Sequence, residues 1–146
     1  MNSKRKSRQQ KTYTPLVIER WLLIYAIEKD AVFGDKVIDA IDSAEDEEFA
    51  ISPLVKLECL VKPLETGNTG LKKYYEAAFD NLSTIEINEE VYLDAALLRS
   101  KFKIRTPDAL HLSCAQFHQC SALWTNDNRL VNAAHGLAVN ICSQKA

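Results

Sequence analysis

Short apolar runs alternate with helical patterns along this whole chain, and that alternation limits the fold more than any other feature. Pro15-Leu16-Val17-Ile18, Phe49-Ala50-Ile51, Thr84-Ile85-Glu86-Ile87, Ser121-Ala122-Leu123-Trp124-Thr125 and Leu137-Ala138-Val139-Asn140-Ile141 read as strands. Helical patterns lie between them, near 20–29, 32–45, 70–82, 89–101 and 107–119. Another runs from Pro53 to a stop near Pro63, and a short one runs from Asn126-Asp127 to about 134, ended by Gly136. Strands that alternate with helices in this way build an α/β fold, a three-layer α/β/α sandwich with a mainly parallel central sheet. Right-handed crossovers bring the strand C-termini to one edge, where such sheets bind ligands.

The helix beginning near Thr106 carries the densest local signals. Thr106 is an expected N-cap, because its hydroxyl can accept an orphan backbone N–H of the first turn. Pro107 suits the first helical position, where a missing N–H costs nothing. Asp108 follows in the first turn, where the helix dipole favours a negative charge. Ala109, Leu110, Leu112, Ala115 and Phe117 supply apolar surface behind it. These features alone describe an ordinary well-capped core helix. Ser52-Pro53 repeats the same start signal.

A chain of 146 residues is expected to form one domain, here 14–146, after a basic tail at 1–13. The tail carries Lys4, Arg5, Lys6, Arg8 and Lys11 and no acid, as a solvated segment or a phosphate contact would. The opening lacks the apolar core of a secretory signal, and no apolar run is long enough to span a membrane. A cytoplasmic protein is expected. Cys59, Cys114, Cys120 and Cys142 are widely spaced, which favours reduced thiols over disulfides.

Three acids recur at comparable places. Asp108 opens its helix, Asp127 follows the strand ending at Thr125, and Glu58 lies on a helix face shared with Leu54 and Val55. A Glu there needs a cation, a basic partner or a path to water. If the three converge, they raise each other's pKa unless a cation neutralises them. An oxygen-only set suits Mg²⁺ or Mn²⁺, which can activate water and stabilise charge building on a phosphate. Read singly, Asp127 is an ordinary turn cap and Glu58 an exposed helical acid.

Three motifs acting together carry a resemblance. Ser52-Pro53-Leu54 through Leu57-Glu58, then Thr106-Pro107-Asp108-Ala109-Leu110-His111-Leu112, then Thr125-Asn126-Asp127-Asn128-Arg129-Leu130 resemble the PIN domain family, and within it the VapC-type toxins of bacterial type II toxin–antitoxin pairs. The resemblance covers about 15–142. It implies a Mg²⁺- or Mn²⁺-dependent endoribonuclease with Asp108, Asp127 and Glu58 as metal ligands. Asn126 and Thr125 would orient the last carboxylate or hold a metal-bound water. It also implies an RNA substrate, a cognate antitoxin laid across a groove, and a homodimer.

The first motif departs from the family pattern of Asp, then Ser or Thr, then Asn, before an apolar run. Counting back from Leu23-Ile24-Tyr25 puts Glu19 at the Asp position, Arg20 at the hydroxyl position and Trp21 at the Asn position. Glu19 keeps the charge, as a weaker fourth catalytic member, but shifts its oxygens by on the order of 1 Å, enough to cost about 100-fold in rate. Arg20 is placed to pair with Glu19 and compete with the metal. An attenuated PIN-like module that binds an antitoxin or RNA without cutting is therefore the alternative, and a structural domain with no site is a third.

Arg99, Lys101, Lys103 and Arg105 precede Asp108 as a basic cluster. It suits a solvated helix end, whose dipole favours cations, and equally an RNA-backbone contact by Lys101, Lys103 and Arg105. His111, Cys114 and His118 share a helix face, but their apolar neighbours favour a core role over zinc. Trp21, Tyr25 and Phe33 are candidate exposed aromatics for a partner.

Overall fold

A computed structural model describes residues 14–143. The expected basic tail at 1–13 lies outside them. The elements are β1 (Leu16–Ile18), α1 (Arg20–Ile27), α2 (Gly34–Ser43), β2 (Phe49–Ile51), α3 (Pro53–Thr66), α4 (Thr69–Asp80), β3 (Ser83–Thr84), α5 (Glu89–Phe102), α6 (Thr106–Phe117), β4 (Ala122–Thr125), α7 (Asn128–Ala133) and β5 (Ala138–Asn140). The strands form one sheet in the order β3-β2-β1-β4-β5, with every pairing parallel.

Alternate strand residues face opposite layers, because successive side chains point to opposite sides of a sheet. Val17, Ala50, Leu123 and Ala138 pack on Val91 and Ala95 of α5, on Ala109, Leu112 and Ala115 of α6, and on Leu130 and Ala133 of α7. Leu16, Ile18 and Ile51 pack on the other side, against Leu22 and Leu23 of α1, Val37 of α2, Val55 and Cys59 of α3, and Tyr75 and Phe79 of α4. Two separate buried clusters flank the sheet, which makes the sandwich three-layered. All four cysteines are free thiols.

Three local expectations are corrected. The helix opened by Ser52 does not stop at Pro63: α3 continues to Thr66 with Pro63 buried inside it. Its stop is Gly67, whose φ of 68° is open to glycine at little cost, with the Asn68 N–H donating back to the Pro63 carbonyl at 2.9 Å. The third strand pairs at Ser83–Thr84 rather than over 84–87. Ile85 and Ile87 are apolar because they pack against the core, and beyond Thr84 the Ile85 N–H still reaches the sheet, donating to the Ile51 carbonyl. Thr106 is not a cap: it lies inside α6, Arg105 holds the cap position, and no side chain bonds the first turn there.

The topology selects the site. β1 is flanked by β2 on one side and β4 on the other, so the crossovers leaving these strands diverge there. The crevice at that switch point is open at the strand C-termini. The Glu19 N–H donates to the Trp124 carbonyl at 3.0 Å, which ties the exit of β1 to the end of β4.

Candidate active site

Glu19, Arg20, Trp21, Glu58, Arg105, Pro107, Asp108, His111, Asn126 and Asp127 line one cavity of about 120 Å³ at this edge. Glu19 follows β1, Asn126 and Asp127 follow β4, Asp108 opens α6 and Glu58 stands on α3. The fold thus brings all four acids, distant in sequence, to a common space.

Each acid is held differently. Glu19 is 5% exposed and caps α1, accepting from the Trp21 N–H at 2.9 Å. Burial pushes its carboxyl from an ordinary 4.5 up to about 7, with His111 and the Trp21 N–H pulling the other way and Glu58 adding to the rise. The Glu58 side chain is 7% exposed and has two cationic or polar neighbours. His111 Nε2 donates to Oε1 at 2.8 Å, and Arg20 Nη1 lies 3.4 Å from Oε2. Arg20 therefore pairs with Glu58 on another helix, not with its neighbour Glu19. Its guanidinium also lies 4.9 Å from the centroid of the Trp21 ring.

The rim acids have local partners. Asp108 Oδ2 accepts from Arg105 Nε at 3.3 Å. Asp127 caps α7, accepting from the Arg129 N–H at 2.8 Å, with Arg129 Nε 3.5 Å away. Thr125 Oγ1 accepts from the Asp127 N–H at 3.1 Å, so it fixes the backbone rather than the carboxylate. Asn126 Nδ2 donates to the Tyr25 hydroxyl at 3.0 Å, which tethers the β4 exit to α1.

Arg105 and Lys103 also line a second recess of about 260 Å³ with Phe102, Asp108 and Arg129. Lys101 stands exposed in the last turn of α5, outside that recess. The face carrying His111, Cys114 and His118 is spent elsewhere: Cys114 Sγ and His118 Nε2 both bond the Glu86 carbonyl. Trp21 is exposed, while Tyr25 and Phe33 are only partly so and stack with ring centroids 5.2 Å apart.

His111 is the site residue that sequence reasoning left in the core. Its ring is buried as expected, yet Nε2 serves Glu58, and Nδ1 has no hydrogen-bond partner among the described residues. The available signal was the need of a buried Glu for a partner; the identity of that partner depends on how α3 and α6 meet.

The donor chemistry suits a hard divalent ion only in part. Among the described residues, no group of three His, Cys, Asp or Glu side chains is arranged to hold a metal. Both Glu58 oxygens are already engaged by His111 and Arg20. Asp108 and Asp127 are engaged by arginines whose side chains are 64% and 74% exposed, free to swing away at little cost. Mg²⁺ itself keeps several waters and often uses only one or two carboxylates.

The PIN domain family profile matches residues 17–136, so the chain belongs to the PIN domain family. Its fold is similar to that of a toxin–antitoxin complex from Klebsiella pneumoniae, at 20% identity and a TM-score of 0.72, covering 86% of this chain and 97% of that one. It is similar to VapBC2 from Rickettsia felis bound to a promoter DNA fragment, at 18% identity and a TM-score of 0.74, covering 87% and 98%. It is also similar to FitAcB from Neisseria gonorrhoeae, at 17% identity and a TM-score of 0.66, covering 88% and 99%. No protein of curated function matches the chain. Among the described residues, no helix is long and apolar enough to cross a membrane.

Proposed function

We propose that this chain is a toxin-type PIN nuclease that cuts RNA phosphodiester bonds with a divalent Mg²⁺ or Mn²⁺ ion held by Asp108 and Asp127. The carrying observation is that these two carboxylates and Glu19 open onto one cavity beside a basic recess. Bound there, the ion would supply charge stabilisation at the phosphate and a more acidic water. The chain's own groups do the rest. Lys103 and Arg105 bind the flanking phosphates, with Lys101 steering RNA from further out. Glu19, titrating near neutrality, can accept a proton from the attacking water at its free Oε2. Glu58 anchors Arg20 and His111 in the cavity wall rather than reaching the ion. An antitoxin partner fits the apolar groove of about 360 Å³ between α1 and α3, where Trp21, Leu57 and Val61 are exposed.

Asp108→Asn tests this reading. RNA cleavage in Mn²⁺ or Mg²⁺ is expected from the unaltered chain and lost in the variant, and equal cleavage by both would overturn it. The pairing of Arg20 with Glu58 favours a second reading, an attenuated module that binds RNA or an antitoxin without cutting. Bound but intact RNA with the unaltered chain would establish that one instead.

A further inference from the structure

We propose that Arg20 is a built-in counterion: its guanidinium neutralises Glu58 and restricts divalent metal to the Asp108 and Asp127 side of the cavity. The proposal rests on the two-carboxylate reading above and adds a reason for it. Arg20 and Trp21 both replace residues that the PIN resemblance leads one to expect, and in the structure they work as one unit. The Trp21 ring supports the guanidinium at 4.9 Å, and the guanidinium reaches from α1 across to Glu58 on α3 at 3.4 Å. Cation–π support and a carboxylate partner are the two interactions that hold a planar guanidinium in a fixed place.

The other two arginines at the site differ. Arg105 and Arg129 bond acids three and two residues away in sequence and stand 64% and 74% exposed, as local surface pairs do. Arg20 is 32% exposed and meets an acid that is 7% exposed. A charge paired with so buried an acid is felt more strongly by a second cation in the same cavity than one on an open surface. His111 takes the remaining Glu58 oxygen, so both oxygens of that carboxylate already have a partner with which an ion must compete. The acid set of the cavity is thereby divided into a metal-free wall and a metal-competent rim.

Calorimetric Mn²⁺ titration of the full chain tests the division. Arg20→Gln keeps a planar polar group on a shorter side chain and removes the charge, while Arg20→Lys keeps the charge. Arg20→Gln is expected to bind Mn²⁺ about tenfold tighter, about 1.4 kcal/mol, or to take a second ion. Arg20→Lys is expected to match the unaltered chain. Equal affinity and stoichiometry in all three would overturn the proposal, and so would an equal gain in Gln and Lys, which would make the effect steric. Binding by Arg20→Gln alone would uphold the counterion and overturn the metal-dependent activity of the unaltered chain. Binding by the unaltered chain that Asp108→Asn abolishes and Arg20→Gln leaves unchanged would do the reverse.

Discussion

Glu58 and Asp127 line the same cavity, yet Glu58 is 7% exposed between basic side chains from two other helices, and Asp127 is 21% exposed at the tip of a helix it caps itself. The wall and the rim solve the same electrostatic problem by different means. On the wall, a buried carboxylate is matched by His111 from α6 and Arg20 from α1, so its partners are also part of what holds the layers together. On the rim, the carboxylates are matched by exposed arginines and, for Asp127, a backbone N–H as well, partners that water can replace. A cavity built this way concentrates stability on one side and leaves the other available for chemistry.

The largest test of that division is His111→Leu. It leaves Glu58 buried with Arg20 alone and removes a 2.8 Å hydrogen bond. Losing a hydrogen bond to a buried carboxylate is expected to cost about 2–3 kcal/mol of unfolding free energy, read from urea denaturation. Replacing His111 and Glu58 together by leucine is expected to cost less than the single change, since no carboxylate is then stranded. A loss under about 1 kcal/mol for His111→Leu would erase the distinction between wall and rim.

Glu19 sharpens the comparison through pH. Burial raises its carboxyl from 4.5 to about 7 in the folded state, so between those values the folded chain binds a proton that the unfolded chain has released. Stability therefore falls as pH rises from about 4.5 through 7 and levels off above. The total is about 3 kcal/mol at most. Glu19→Gln keeps an oxygen to accept from the Trp21 N–H but has no proton to lose. Melting of the two proteins, measured with chelator from pH 4.5 to 8, should diverge with rising pH and favour the Gln variant. Parallel curves would show that Glu19 carries no buried charge.

The α/β order was readable because burial and chain direction agree: Val17, Ala50 and Leu123 sit in short apolar runs and face the core. Where burial and pairing separate, reading fails. Ile85 and Ile87 looked like strand because they are apolar and pack against the core, Ile87 only partly buried, while the ladder sits on the polar Ser83 and Thr84. Pro63 looked like a stop, but its ring is accommodated within α3 and the left-handed Gly67 ends the helix. Thr106 fits a capping rule that the chain satisfies one residue earlier without a side-chain bond. At the site, the acids were visible as residues following strands or opening helices. Their partners were not, because the approach of α1, α3 and α6 decides that Arg20 meets Glu58 instead of Glu19, and that Asn126 reaches Tyr25.

The smallest effect belongs to the rim, where Asp127 does two separable things. As the N-cap of the six-residue α7 it accepts from the Arg129 N–H, a role that asparagine fills as well as aspartate. As a carboxylate it would hold a cation, a role asparagine fills poorly. Asp127→Asn is therefore expected to melt with the unaltered chain, whereas Asp127→Ala gives up the cap and about 1 kcal/mol. Both should lose Mn²⁺ affinity by calorimetry. If Asp127→Asn lost as much stability as Asp127→Ala, the negative charge itself would be holding α7. The rim would then be structural in the same sense as the wall.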